Sequence, residues 1–295
     1  MYEFRYTDAN KKRRSIYDMD LMKLRQKEDE IKLLRHEGID YAGGEITVIQ
    51  LLERYISLKR GVRYNTTTGY KFVMSVVKKE PFGQRIIRDI KMSDAKLWFI
   101  KLYDDGYSYS TIASIRGVVK PAFQMAYTED IIRRNPFEFR LDIIPNNTQK
   151  RVALSPKQQE QFLEFTKNDK HFCRYLDEIK ILLGTGMRIS ELCGLTIADL
   201  DFDRRRIRVD HQLVRTQDGK RYIEKTKTEC GCRYIPMSDE VYGSFYNILS
   251  NRKKQKKEVM IDGYAGFILL DKNGNPKVAM HVQKVVQRLC EKYNE

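Results

Sequence analysis

The sequence lacks the features that send a chain into or across a membrane. No apolar run approaches the ~18 consecutive residues of a spanning helix. The start, Met1-Tyr2-Glu3-Phe4-Arg5, has no apolar stretch of the signal-peptide kind. Cysteine is scarce and odd in number: Cys173, Cys193, Cys230, Cys232 and Cys290. Their spacing fits no disulfide framework, so free thiols in a reducing cytoplasm are expected. Cys230-Gly231-Cys232 has no second Cys or His pair close by, and no zinc site is expected there. A Gly-x-x-x-x-Gly-Lys-Ser/Thr phosphate loop, a His-Glu-x-x-His zinc motif, internal repeats and low-complexity segments are all absent.

Acidic residues are also short. Asp and Glu number 40 against 55 Lys and Arg, a formal net charge of +15. Such an excess of cations suits a polyanionic partner, above all nucleic acid. With 295 residues and 41% hydrophobic content, the chain has material for about two domains with real cores.

Along the chain, Tyr2, Phe4 and Tyr6 alternate with charged residues, which predicts a strand. Asp8-Ala9-Asn10 is turn chemistry, Lys11 to Arg14 form a basic tip, and a return strand follows. Leu21, Leu24, Glu28, Ile31 and Arg35 lie on one face of a charged helix. Beyond Gly43-Gly44, Thr47 caps a helix bearing Val48, Leu51, Leu52, Tyr55 and Ile56. A second helix follows Thr66, a third is capped by Ser93, and a fourth by Ser110 with a kink expected at Pro121. Asn135-Pro136 closes this helical region. Residues 141–152, with Pro145-Asn146-Asn147, read as a linker. Ser155-Pro156-Lys157-Gln158 then opens a helix with a capping box, expected to continue through Leu183 to a sharp break at Gly184-Thr185-Gly186. A short helix over Ile189 to Leu195 follows. Three strands are expected: 206–210, then 222–225 joined to it by the Asp218-Gly219 turn, then 233–235. Ser238 caps a further helix, whose end carries the basic run Arg252 to Lys257. The last helix presents Val282, Val285, Val286, Leu289, Cys290 and Tyr293 on one face.

The chemically informative stretch is Gly184-Thr185-Gly186-Met187-Arg188-Ile189-Ser190-Glu191-Leu192. Glycines make a bend, Arg188 emerges at a helix start, and Glu191 sits one turn on along the same face. Helix N-termini favour anions, and arginine adds bidentate phosphate recognition. The same spacing also occurs in ordinary surface Arg–Glu pairs of little energetic weight.

Thr-Gly-x-Arg-x-Ser-Glu-Leu resembles box I of the tyrosine recombinases. Lys225-Thr226-Lys227-Thr228-Glu229-Cys230-Gly231-Cys232-Arg233-Tyr234-Ile235-Pro236-Met237 resembles that family's β-hairpin, in which a lysine precedes an Arg-x-Ile-Pro strand. Upstream, Ser93-Asp94-Ala95-Lys96-x-Trp98, Asn135-Pro136-Phe137 and Asp210-His211-Gln212-Leu213 are similar to the integrases of conjugative transposons, so the resemblance covers nearly the whole chain.

The resemblance implies a multidomain protein, mainly α with small β elements. It would have a partial arm-type DNA-binding domain at 1–44, a helical core-binding (SAM-like) domain at 45–140, the linker at 141–152, and an incomplete mixed α/β catalytic domain at 153–295. It implies site-specific recombination of a mobile element through a phosphotyrosine. Arg188 would be a transition-state cation, Lys227 (with Lys225 as the alternative) the general acid, and Glu191 a carboxylate that orients Arg188. Arg188 should then face an open groove beside Lys227, close to the 225–236 hairpin, and not a buried carboxylate. Arg13, Arg14, Arg116, Lys120, Lys225 and Arg233 are further cations for DNA contact. The expected partner is double-stranded DNA at attachment sites, with self-association on DNA, no membrane, and neither metal nor other cofactor.

One departure from the family pattern bears on activity. A His-x-x-Arg box and then a nucleophilic tyrosine should follow the hairpin. His171-Phe172-Cys173-Arg174 lies upstream of Arg188, and His281-Val282-Gln283-Lys284 is a near match only. Tyr293 continues an apolar stripe, and His36 and His211 show no supporting partners. The chain reads as cut off before that box, with no nucleophile of its own. The alternatives are a catalytically inactive protein occupying recombination sites, or an unrelated helical DNA-binding regulator.

Overall fold

The computed structural model describes residues 1–7, 12–36, 45–226, 229–252 and 258–295, with the backbone alone at 34–36 and 229. The chain forms two compact units, Met1–Arg151 and Val152–Glu295. Among the described residues no helix is long and apolar enough to cross a membrane.

The first unit begins with an antiparallel pair, β1 (Tyr2–Thr7) and β2 (Arg13–Asp18), in register from Tyr2 opposite Asp18 to Thr7 opposite Arg13. Arg13 and Arg14 therefore belong to a strand; the expected turn at residues 8–11 lies outside the described residues. Helix α1 (Leu21–His36) buries Leu24 and Ile31, whereas Leu21, expected on the same face, is exposed.

Helix α2 (Val48–Ser57) starts where predicted. The Thr47 hydroxyl accepts from the Gln50 N–H, and the Gln50 side chain accepts from the Thr47 N–H. Helix α3 (Tyr64–Lys79) starts earlier than expected, with Arg63 as its extended cap residue. Helix α4 (Met92–Asp104) is entered at Lys91 rather than Ser93, because Asp94 reaches back to accept the Lys91 N–H at 2.8 Å. Helix α5 (Tyr109–Thr128) is capped by Ser108, not Ser110, and stays continuous through Pro121.

These four helices enclose an aromatic cluster. Trp98 stacks on Phe82 with centroids 4.4 Å apart, and Phe137 stands edge-on to both. Asn135 anchors the segment carrying Phe137: its amide donates to the Lys120 carbonyl and to Gln124, and its oxygen accepts the Phe137 N–H. Part of the expected linker belongs to this core. Leu141–Ile143 form a short 3-10 turn, and Leu141 and Ile144 are buried against the helices. Apolar side chains too few to set a period still find a groove.

The second unit opens with α6 (Pro156–Asn168), entered through the predicted capping box at Ser155 and Gln158. The helix expected to run on to Leu183 is broken. Asp169 accepts the N–H groups of His171 and Phe172 at 2.8 Å, ending α6 before α7 (Leu176–Thr185) begins. Helix α8 (Ile189–Gly194) follows the bend.

The strands differ from the expected set. β3 (Leu200–Asp201), β4 (Arg206–Val209) and β7 (Arg233–Pro236) form one antiparallel sheet in the order β3-β4-β7. β5 (His211–Arg215) and β6 (Arg221–Lys225) form a separate pair. The partner of β6 is thus the unanticipated β5 and not β4. Helix α9 (Asp239–Ser250), capped by Ser238, packs on α7, and α10 (Ala279–Asn294) lies along α6 and α8.

Candidate active site

Helix α7 ends at Gly186, whose φ of +61° places it in the left-handed region that glycine enters without penalty. The chain leaves extended at Arg188 and turns into α8. Glu191, three residues into that helix, accepts the Arg188 N–H at 2.9 Å and the Arg188 guanidinium at 2.7 Å.

A second arginine arrives from the neighbouring sheet. Arg233, on β7, donates through Nη2 to Glu191 Oε2 at 2.8 Å and through Nη1 to Oε1 at 3.3 Å. Its Nη1 also donates to the Gly231 carbonyl at 3.2 Å. The Glu191 side chain is 3% exposed, Arg233 31% and Arg188 72%. Burial alone pushes the Glu191 carboxyl up; the Arg233 guanidinium and then the Arg188 donors outweigh it and hold it below its ordinary value.

The expectation for Arg188 is half corrected. The guanidinium does bond a buried carboxylate, and it also stays open to solvent, tied through Glu191 to β7; β6 and β7, expected as the two arms of a 225–236 hairpin, belong to separate sheets. The N-terminal anion argument weakens: α8 has six residues and its Arg188 N–H is already spent on Glu191.

Helix α8 is fixed from behind by β5 and β6. Ser190 donates to Gln212 at 2.8 Å, and Gln212 donates to Glu224 at 2.7 Å. His211 has partners, contrary to expectation. It is 1% exposed, with Nδ1 against Asp210 Oδ1 at 2.5 Å and Nε2 against the Gly194 carbonyl at 2.9 Å. Donor atoms of Asp199, Asp210 and His211 lie within 4.8 Å of one another. Asp199, however, already accepts two bonds from Thr196 and two from Arg208, and Arg208 also pairs with Asp210. This network is satisfied without an ion.

Other sequence candidates are scattered. Lys227 lies outside the described residues, as do Lys11, Gly43-Gly44 and the lysines of 253–257; the His36 side chain is likewise not described. Lys225 is exposed at the end of β6, opposite His211 in the register. Arg13 and Arg14 are exposed on β2. Arg116 donates to the carbonyls of Phe137 and Phe139, and Lys120 pairs with Glu138 at 2.8 Å, so both engage the segment that follows their own helix, α5. Arg252 forms a bidentate pair with Glu258.

His171 and Arg174 bond each other at the surface. His281 is exposed on the first turn of α10. Tyr293 packs edge-on to Phe162 and Phe165, with centroids 5.4 and 5.3 Å away. The Glu191–Arg233 pairing is what sequence reading missed. Forty-two residues separate the partners, and no local pattern joins them.

The sequence profile of the phage integrase family matches residues 153–295. The chain is 42% identical over 277 residues to the transposase of transposon Tn916 from Enterococcus faecalis, covering 94% of this chain and 68% of the relative. Among solved structures, the Tn1549 transposon integrase in complex with a circular intermediate DNA superposes with a TM-score of 0.81 at 43% identity, over 84% of this chain and 79% of that one. A lambda integrase dimer bound to a core site, 16% identical with a TM-score of 0.57 over 83% and 77%, shares the fold. A transposon relative matched along almost the whole chain, and a family profile laid over the unit that holds the Arg188 bend, agree with the motifs: the chain belongs to the phage integrase family of tyrosine recombinases.

Proposed function

We propose that this protein acts on duplex DNA in the site-specific recombination of a mobile element, with Arg188 as a cation for the reacting phosphate. The observation that carries this reading is the Arg188 side chain, 72% exposed yet with its guanidinium held by the 3%-exposed Glu191 side chain. Phosphoryl transfer spreads negative charge over the equatorial oxygens, and a pre-positioned guanidinium stabilises that charge without reorganising. Lys227 is assigned as the acid that protonates the leaving 5′-oxygen, and Glu191 as the carboxylate that orients Arg188.

We assign 1–44 to arm-type binding, 45–140 to core binding and 153–295 to catalysis. We start the linker, expected at 141–152, at Pro145, a reading supported by the burial of Leu141 and Ile144. Attachment-site selectivity, self-association on DNA and a cytoplasmic location belong to the same reading. Duplex affinity measured from low to moderate salt tests it. The expected log K falls linearly with log salt, by about 0.9 per neutralised phosphate, and Arg188→Ala weakens binding and reduces the slope by about 1. A flat salt dependence overturns the reading.

A second reading, DNA binding without cleavage by these 295 residues, is favoured by the packing of Tyr293 between Phe162 and Phe165. A nucleophile must lie in line with the phosphate, and this half-buried ring is packed edge-on against two phenylalanines of α6. A nicked suicide substrate should yield no covalent protein–DNA band. A band that vanishes on Tyr293→Phe would make Tyr293 the nucleophile.

A further inference from the structure

Glu191 poses an electrostatic problem for the site. A carboxylate 2.7 Å from Arg188 Nη1 fixes the guanidinium in place. It also cancels the positive charge that a phosphate is to meet. Arg188 and Glu191 alone sum to zero, and an exposed guanidinium paired with a carboxylate is a weak anion ligand.

We propose that Arg233 is a positioning residue that absorbs the charge of Glu191, leaving Arg188 oriented by the carboxylate and still electropositive toward phosphate. This rests on the reading of Arg188 as the phosphate-facing cation. The geometry supports a division of labour between the two arginines. Arg233 spends Nη2 on Oε2 and Nη1 on both Oε1 and the Gly231 carbonyl. These bonds aim its planar fork inward, and its side chain is 31% exposed. Arg188 places a single side-chain nitrogen on the carboxylate and leaves 72% of its side chain open. Three groups then carry a net charge of +1, presented by the outermost of them.

The strand makes the arrangement rigid. Arg233 opens β7, paired with Val209 of β4, and both strands contribute to the core beneath. A lysine in its place would bring the charge without the fork, and could satisfy only one carboxylate oxygen well. The carboxyl of Glu191 stays ionised despite burial chiefly through Arg233, which is the state this role requires.

The test uses the 295-residue chain and a 30-base-pair duplex as probe at fixed low salt. Duplex affinity is paired with a carbon-13 titration of the Glu191 carboxyl. Arg233→Met is expected to weaken affinity about tenfold, the scale of an uncompensated carboxylate facing a phosphate at a part-exposed surface. It should also raise the Glu191 titration midpoint. Arg233→Met combined with Glu191→Gln should recover most of the affinity, because the offending charge is gone. Arg233→Lys should fall between wild type and Arg233→Met.

If the double variant binds as weakly as Arg233→Met, Arg233 touches phosphate itself and the proposal is overturned. It is also overturned if Arg233→Met leaves both affinity and midpoint unchanged while Arg188→Ala weakens binding. If Arg188→Ala has no effect, the reading of Arg188 falls, and this proposal with it. Far-ultraviolet circular dichroism of each variant identifies loss of folding. Should Arg233→Met fail to fold, Arg233→Lys and its combination with Glu191→Gln give the same comparison.

Discussion

Gly194 ends α8 where that helix meets the backbone of β5. A Cβ at this position would sit 2.8 Å from the Leu213 nitrogen and 3.1 Å from the Gln212 carbonyl carbon. Neither is the movable end of a side chain, so Gly194→Ala must push the helix away from the strand. The shift would stretch the bond from His211 Nε2 to the Gly194 carbonyl and displace Arg188 at the other end of α8. The expected cost is about 1–3 kcal/mol, read as a lower midpoint in urea unfolding, with weakened duplex binding under conditions where the variant is still folded. Unchanged stability would mean that α8 is not clamped on β5. From the sequence Gly194 reads only as a residue near a helix end; its closeness to β5 comes from the packing of two elements.

Among the elements, α10 and the segment leading into it depend on a buried ion pair. Glu178 on α7, 7% exposed, pairs with Lys277, just ahead of α10. Burial pushes the Glu178 carboxyl up, against the pull of the Lys277 ammonium. Lys277→Met removes that partner and should destabilise the second unit by about 3–5 kcal/mol near neutral pH. A raised carboxyl value means that protonation relieves the cost, so this deficit should shrink as pH falls through the folded value of Glu178. Replacing both, Glu178→Leu with Lys277→Met, should restore or exceed wild-type stability. Thermal unfolding of the three proteins across pH checks both statements, and equal losses in the single and double variants would refute the pair's role. Helix starts at Thr47, Ser155 and Ser238 were legible because each cap is local chemistry. Those at Lys91 and Ser108 were misplaced by two residues because neighbouring serines offer equally good local caps. The strand β5 was missed because the alternating stretch 206–210 reads as the partner of β6 across the Asp218-Gly219 turn, and the burial of β5 depends on α8.

At the scale of the whole molecule, the two units each have their own buried cores. Between them, residues 145–155 have neither helix nor strand and are exposed. Lys150 and Arg151 offer trypsin two sites in this stretch. Limited digestion should cut there early and leave two fragments, each with its own cooperative thermal transition, identified by mass spectrometry. Fragments that unfold once separated would show that neither core is sufficient alone. The 55 basic residues are spread over both units, and many of them are paired with carboxylates: Arg54 with Glu129, Lys120 with Glu138, Arg208 with Asp199. Affinity for DNA therefore follows where unneutralised cations are presented rather than the count of basic residues.

Amino-acid order by itself determined the basic character, the helical periodicities, the local caps and the Arg188–Glu191 spacing with its resemblance to recombinase box I. Each of these is set within a few residues, where backbone geometry and side-chain type act directly. The tertiary structure alone decided that Glu191 is shared by two arginines 42 residues apart, that His211 is a buried anchor for α8, and that Arg233 faces inward. These depend on which strand lies beside which helix. Such long-range pairing is selected by packing and burial over the whole unit and leaves no periodic trace in the chain.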